Sequence, residues 1–379
     1  MEKIVIIGAN DFQNPLILKA KEMGYETHVF AWKDGSIGEK TADFFYPISI
    51  VEKEKILEVC KKIKPVAVTT IASDLANITV QYLCKHLGLP TNSDHALTVT
   101  TNKYAMRCEL RNKGIKVPNF IEISSESEIS QEDFVDFRYP LIVKPTDRSG
   151  SRGIFKINHF DELKEKVKIS LDLSFEKNVI IEEFIEGDEY SCESISFNGI
   201  HQILAITKKY TTGSPNFIET GHVEPSGLSL EMELLVKDSV YKILNALDIQ
   251  TGPAHTEFKI HDGQIEIIEI GSRMGGDCIG SHLVQLSTGY DFLKMTIQAA
   301  LGKQPDISVS SKKYFAGIRF IFDENDLKVL DEVKKTNCLY FYSGIENNMD
   351  DIVTDSSSRK GYFILRCENK EELMKWMEK

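Results

Sequence analysis

His255-Thr256-Glu257-Phe258-Lys259-Ile260-His261-Asp262-Gly263-Gln264-Ile265-Glu266-Ile267-Ile268-Glu269-Ile270-Gly271-Ser272-Arg273 is the stretch whose reading decides the fold. Asp262-Gly263 between two β-prone runs is a strong hairpin signal, because Asp-Gly tolerates the positive φ that a tight turn demands. The runs therefore read as adjacent antiparallel strands. Counting outward, Glu257 lies five residues before Asp262 and Glu269 six after Gly263, so the two carboxylates come near direct opposition. Two carboxylates facing a phosphate-sized space form a hard oxygen site of the kind magnesium prefers. Glu266 sits at odd spacing from Glu269 and is expected to face the other way, into solvent. Arg273, four residues after Glu269, opens the stretch Met274-Gly275-Gly276-Asp277. A guanidinium there either stabilises a developing oxyanion or pairs with one of the glutamates.

Upstream, Ile142-Val143-Lys144-Pro145 carries a lysine at the end of an apolar strand. Asp147-Arg148-Ser149-Gly150-Ser151-Arg152-Gly153 follows. Its glycines and serines let backbone N–H groups approach a polyphosphate, and its arginines offset the charge. Alone it reads more readily as a plain hairpin loop. In Val179–Ser191 an apolar strand passes through an acidic turn into a second strand. Glu182 and Glu189 suit an adenine amine and ribose hydroxyls, with Phe184 or Ile185 covering the purine; a solvated acidic turn is the plainer alternative. His222 and His255 are candidates for substrate contact or proton transfer, or structural hydrogen-bonders. Lys208 and Lys209 read as an addition to a phosphate site or as a solvated basic pair.

Residues 1–93 alternate strands and helices, which argues a doubly wound parallel sheet. Ile4–Ile7 ends in Gly8-Ala9-Asn10, without GxGxxG, so Gly8 reads as a tight-turn residue. Asn14-Pro15 looks like an N-cap with proline at the first helical position. Thr98–Lys113 reads as one helix. Ser191–Phe197, Ile203–Thr207 and the hairpin above read as antiparallel strands, Tyr290–Leu301 as a helix, and a second α+β texture begins near 306. The formal charge of −12 argues against nucleic acid as a partner. The seven cysteines are scattered and never spaced CxxC, which fits a reducing compartment. No secretory leader and no membrane span is expected. A cytoplasmic chain is the expectation.

The order of these motifs resembles the ATP-grasp superfamily. The likeness runs from about Met1 to Leu301 and is carried by the combination of motifs. It implies an α/β plus α+β architecture: an N-terminal open parallel α/β domain (1–93), an ATP-grasp domain (94–305) with a small mobile lid (about 119–184) and a larger antiparallel lobe, and a C-terminal α+β subdomain (306–379). It further implies that Lys103 and Lys144 contact ATP phosphates under the loop Ser149, Gly150, Ser151 and Gly153. Glu182, Phe184 and Ile185 would then serve adenine and Glu189 the ribose. Glu257 and Glu269 would hold magnesium, or manganese in its place, with Arg273 as the catalytic cation. His255-Thr256-Glu257-Phe258, Glu269–Gly276 and Asp355–Gly361 are similar to the L-amino acid ligase (dipeptide synthetase) branch. His222, His255, Met274 and Gly275 are the candidate substrate contacts. One position departs: many ATP-grasp enzymes carry a metal-binding Asn where this chain has Gly271, which leaves that coordination to water or another group, or makes room for substrate.

What the resemblance implies is a carboxylate–amine ligase that forms an acyl phosphate from an amino acid or related carboxylate and couples it to an amine, releasing ADP and phosphate. Its partners are then small-molecule substrates, and a homodimer is common in similar proteins. The alternatives are a biotin-carboxylase-like or purine-biosynthesis-type enzyme acting on bicarbonate or formate, and a non-catalytic ATP-binding module.

Overall fold

The computed structural model describes residues 1–310, 312–345, 349 and 351–379. Three sheets organise it. The first holds β1 (Lys3–Ile7), β2 (Glu26–Phe30), β3 (Phe44–Tyr46) and β4 (Ala67–Thr69), all parallel in the order β3-β2-β1-β4. Helices cover both faces, so the central strand Ile4–Ile7 is apolar throughout and wholly buried instead of alternating. The second is antiparallel: β5 (Phe120–Ile123), β6 (Leu141–Pro145), β7 (Phe155–Ile157) and β8 (Val179–Glu183), in the order β5-β8-β6-β7. The helix Leu163–Leu173 lays Leu163, Val167 and Leu171 against it, an i, i+4, i+8 apolar stripe.

The third sheet is the floor of the molecule. It comprises β9 (Asp188–Phe197), β10 (Ile200–Thr211), β11 (Glu219–Glu224), β12 (Gly252–His261), β13 (Gln264–Gly271), β14 (Phe315–Ile321), β15 (Leu339–Tyr342) and β16 (Gly361–Cys367). Their order is β13-β12-β9-β10-β11-β14-β16-β15. The α+β texture after residue 306 thus adds its strands to this sheet, β14 pairing with β11 from Gly221↔Arg319 to Glu224↔Ala316. The 17-residue helix Leu230–Ala246, which the sequence reading passed over, packs Val236, Val240, Ile243 and Leu244 into the core beneath β9 and β12. No helix of the described residues is long and apolar enough to cross a membrane.

Two local expectations are corrected. Thr98–Lys113 is two helices, Asp94–Thr101 and Lys103–Asn112, because Asn102 turns extended (φ −122°, ψ 115°) and caps the second by accepting the Ala105 N–H. This break matters, since it delivers Lys103 at the first position of a helix, its own N–H donating to Thr146 O at 2.9 Å. Asn14 is not a cap either: Gln13 holds that position, and Asn14 Oδ1 instead accepts from Thr41 at 2.5 Å.

Glu224, at the end of β11, is fully buried and accepts hydrogen bonds from Thr207 Oγ1 and Ser287 Oγ, each at 2.7 Å. Burial pushes its carboxyl up to about 8, against the pull of those two hydroxyls. The folded protein therefore keeps a proton that the unfolded chain sheds near 4.5. The stability this contributes is whole below that pH and is lost as pH rises through about 8. Thermal unfolding followed from about pH 5 to 8.5 should show a falling Tm, and Glu224→Gln, which needs no proton to stay neutral, should flatten the fall.

Candidate functional site

A cavity of about 570 Å3 opens where the carboxyl edge of the parallel sheet, the second sheet with its glycine-rich loop, the third sheet and the turn before β16 converge. That volume is in the range of sites for drug-sized ligands. Its floor is set by strand alternation. His255, Glu257 and Lys259 point up from β12, while Ala254 and Phe258 point down into the core.

The hairpin register is the deciding detail. From His261↔Gln264 the pairing runs regularly to Phe258↔Ile267, then skips Ile268, so that Glu257 stands directly opposite Glu269. A β-bulge at Ile268 thus puts both carboxylates on the cavity face. The same bulge overturns the expectation for Glu266. It absorbs the odd spacing, so Glu266 pairs with Lys259 on the same side as Glu269, though its carboxylate is drawn to Lys116 Nζ at 2.5 Å and stays out of the cavity lining.

Cations surround the pair. Glu257 Oε1 accepts from Lys209 Nζ at 2.7 Å and lies 2.9 Å from His255 Nε2. Glu269 Oε1 lies 2.9 Å from Lys103 Nζ, which also donates to Arg148 O at 2.6 Å. Lys209 Nζ reaches Glu189 at 3.2 Å as well, whereas Lys208 turns to the other side, onto Asp188 and the Tyr190 ring. Burial opposes charge on His255, but Glu193 at Nδ1 and Glu257 at Nε2 raise it to about 9, an imidazolium held between two carboxylates.

At the opposite end, Glu182 is the hub of a buried cluster. Arg107 Nε donates to its Oε2 at 2.7 Å, and Lys144 Nζ lies 2.6 Å from its Oε1. Burial alone would raise this carboxyl, yet the two cations draw it down to about 2. Glu182 lines the cavity together with Phe184, Ile185 and Glu189, and its carboxylate also fixes Lys144. Lys156 and Lys259 flank the Phe184 ring at 4.1 and 4.5 Å.

The loop residues Ser149, Gly150 and Ser151 line the cavity; Ser151 Oγ donates to Phe217 O at 2.8 Å across it. Gly153 does not: it packs on Pro145 and Leu173 at the base of the loop. Arg148 Nε is buried with no hydrogen-bond partner among the described residues. A buried cationic donor without an acceptor, its guanidinium 4.2 Å over the Phe175 ring and its carbonyl held by Lys103, fits an anion. Two opposed carboxylates beyond it fit a hard divalent cation. The residues present therefore suit a metal–polyphosphate pair.

Arg273 forms a fork with Asp74, Nε to Oδ1 at 2.8 Å and Nη2 to Oδ2 at 2.9 Å, and not with either glutamate. His222 Nε2 lies 3.4 Å from Asp277 Oδ2, and Arg359 grips Asp277 at 2.9 and 2.7 Å. Two candidate contacts are corrected. Met274 is 0% exposed and packs in the core with Val284 and Phe292, so it does not line the cavity. Gly275 serves from behind, its N–H donating to Glu193 Oε2 at 2.9 Å. The sequence reading missed Asp74, Arg107, Glu193 and Arg359. Two left a trace: Arg107 lies one helical turn after Lys103, and Arg359 falls within the stretch Asp355–Gly361 that carried part of the resemblance.

Residues 137–281 match the family described as ATP-grasp domain. This chain has the ATP-grasp fold. Over 273 residues it is 25% identical to the L-arginine-specific L-amino acid ligase of Bacillus subtilis, covering 69% of this chain and 63% of that one. It is 27% identical over 282 residues to alanine–anticapsin ligase of Bacillus amyloliquefaciens, covering 64% and 58%. The chain thus spans between half and just under two thirds of the curated relatives it matches first. A crystal structure of L-amino acid ligase from Bacillus licheniformis superposes with a TM-score of 0.84 at 22% identity, covering 100% of this chain and 96% of that one. The ATP-grasp fold is common to both.

With this ATP-grasp fold, Arg107→Met should leave Glu182 with one cation in place of two. Loss of a buried partner costs on the order of 3 kcal/mol, so urea unfolding should shift to a clearly lower midpoint with the slope unchanged.

Proposed function

We propose that this chain is an ATP-dependent ligase that activates an amino acid or related carboxylate as an acyl phosphate and joins it to an amine. The observation that carries the reading is the opposition of Glu257 and Glu269 in one cavity with Lys103, Lys209 and Arg273. The names of the relatives point the same way. Glu257 and Glu269 would hold magnesium, which when bound neutralises phosphate oxygens and screens the polyanion from an incoming carboxylate. Lys103, Lys144 and Arg148 bind the phosphates, and Phe184 and Ile185 cover the base. The donor carboxylate oxygen attacks the γ-phosphorus and ADP departs. The acceptor nitrogen then attacks the acyl carbon, phosphate leaves, and the nitrogen gives up a proton. Arg273 stabilises negative charge on the acyl phosphate and on the tetrahedral oxyanion. The loop 148–152, already in contact with Phe217, excludes water that would otherwise hydrolyse the acyl phosphate.

The wall contributed by the parallel-sheet module argues against a phosphorylated acceptor. Its described cavity-lining residues, from Gly8 to Ala76, include Asp34 and Asp74 but no lysine, arginine or histidine. Trp32, 66% exposed, stands at this mouth. Asp74 being paired with Arg273, such a wall offers a sugar phosphate no countercharge of its own and accommodates an amine or its ammonium precursor.

Phosphate release should be measured with ATP and magnesium across pools of amino acids, simple amines, bicarbonate and formate, with mass analysis of products. Release with amino acid pairs and a product mass of their sum less water is expected. Dependence on bicarbonate or formate would transfer the chain to the carboxylase-like reading. Glu269→Gln should lower turnover by about two orders of magnitude or more with the far-ultraviolet circular dichroism unchanged; undiminished release would remove the metal assignment.

A further inference from the structure

One side chain of the parallel-sheet module reaches the guanidinium of Arg273. Asp74 is the first residue of the helix Asp74–Leu87, whose cap Ser73 accepts the Ala76 N–H at 3.2 Å. Both Asp74 oxygens are occupied by Arg273, at 2.8 and 2.9 Å, in the forked geometry that fixes the plane of a guanidinium as well as its position. Neighbouring bonds stitch the two segments together: Ala72 N–H to Met274 O at 3.2 Å and Asn77 Nδ2 to Ser272 Oγ at 3.1 Å.

Gly271 completes the arrangement. Its φ lies outside the left-handed region, so its backbone makes no demand for glycine. Space does. A Cβ at this position would lie 2.9 Å from Asp74 Oδ1 and 3.3 Å from Arg273 Nε. Any side chain on the last residue of β13 would therefore displace the fork.

We propose that Asp74 is the positioning residue for Arg273, and that residue 271 is glycine so that this carboxylate can reach the guanidinium. The task given to Arg273 rests on the ligase reading; the three-residue contact does not. Asp74 supplies orientation across a module boundary, so the site is complete only when the parallel sheet is docked on the third sheet.

The test uses the full chain with Asp74→Asn, Gly271→Ala and the double variant, each assayed for phosphate release with the best amino acid pair and for ATP binding without turnover. Each single variant should lose at least about tenfold in kcat while KM for ATP stays within about twofold, the pattern of an interaction felt in the transition state. The double variant should be no slower than the slower single one, because both act through one contact. Wild-type kcat in Asp74→Asn, a raised kcat, a KM that moves in proportion, or losses that multiply would each overturn the proposal. Should the wild-type chain release phosphate with no donor, the ligase reading fails separately. The contact is then tested by a thermal-unfolding cycle of Asp74→Asn and Arg273→Met, in which strictly additive shifts overturn it.

Discussion

Two like charges set face to face are the constraint around which the site is arranged. Glu257 and Glu269 oppose each other on adjacent strands, an arrangement that repels unless something answers it. The answer comes from every side: Lys209 and His255 at one carboxylate, Lys103 at the other. Those cations are themselves tied to Glu189, Glu193 and the Arg148 carbonyl. Charge around this pair of carboxylates is matched residue by residue, which lets so many ionised groups sit close together.

How much of this was legible in the sequence depends on whether a local rule governs it. The Asp-Gly turn, the apolar run of β1 and the parallel alternation of the first ninety residues obey such rules, and their elements formed as read. The near opposition of Glu257 and Glu269 was visible too, but counting left it one residue out of step. A bulge at Ile268 closes that gap, and no residue type in the stretch announces it. Glu266 was assigned to the wrong face for the same reason. The helix break at Asn102 depended on a capping side chain in the middle of a helical pattern.

Long-range contacts left no such trace. Asp74 and Arg273 are 199 positions apart, and Asp277 and Arg359 are 82 apart. Nothing in periodicity or composition joins them: the first pair meets where the parallel-sheet module docks beside the end of β13, and the second where β14 and β16 extend the sheet begun by β9 to β11. Met274 looked like a pocket residue because it neighbours Arg273. In the fold the chain turns there, and the thioether fills the core while the guanidinium faces the cavity.

Of the chain's two tryptophans, Trp376 is enclosed in the core beside β16, while Trp32 stands open at the cavity mouth. Indole fluorescence responds to local polarity and to collisional quenchers, so the two rings report different surroundings. The exposed one gives the protein an intrinsic optical reporter at the entrance to its cavity, one that requires no attached dye.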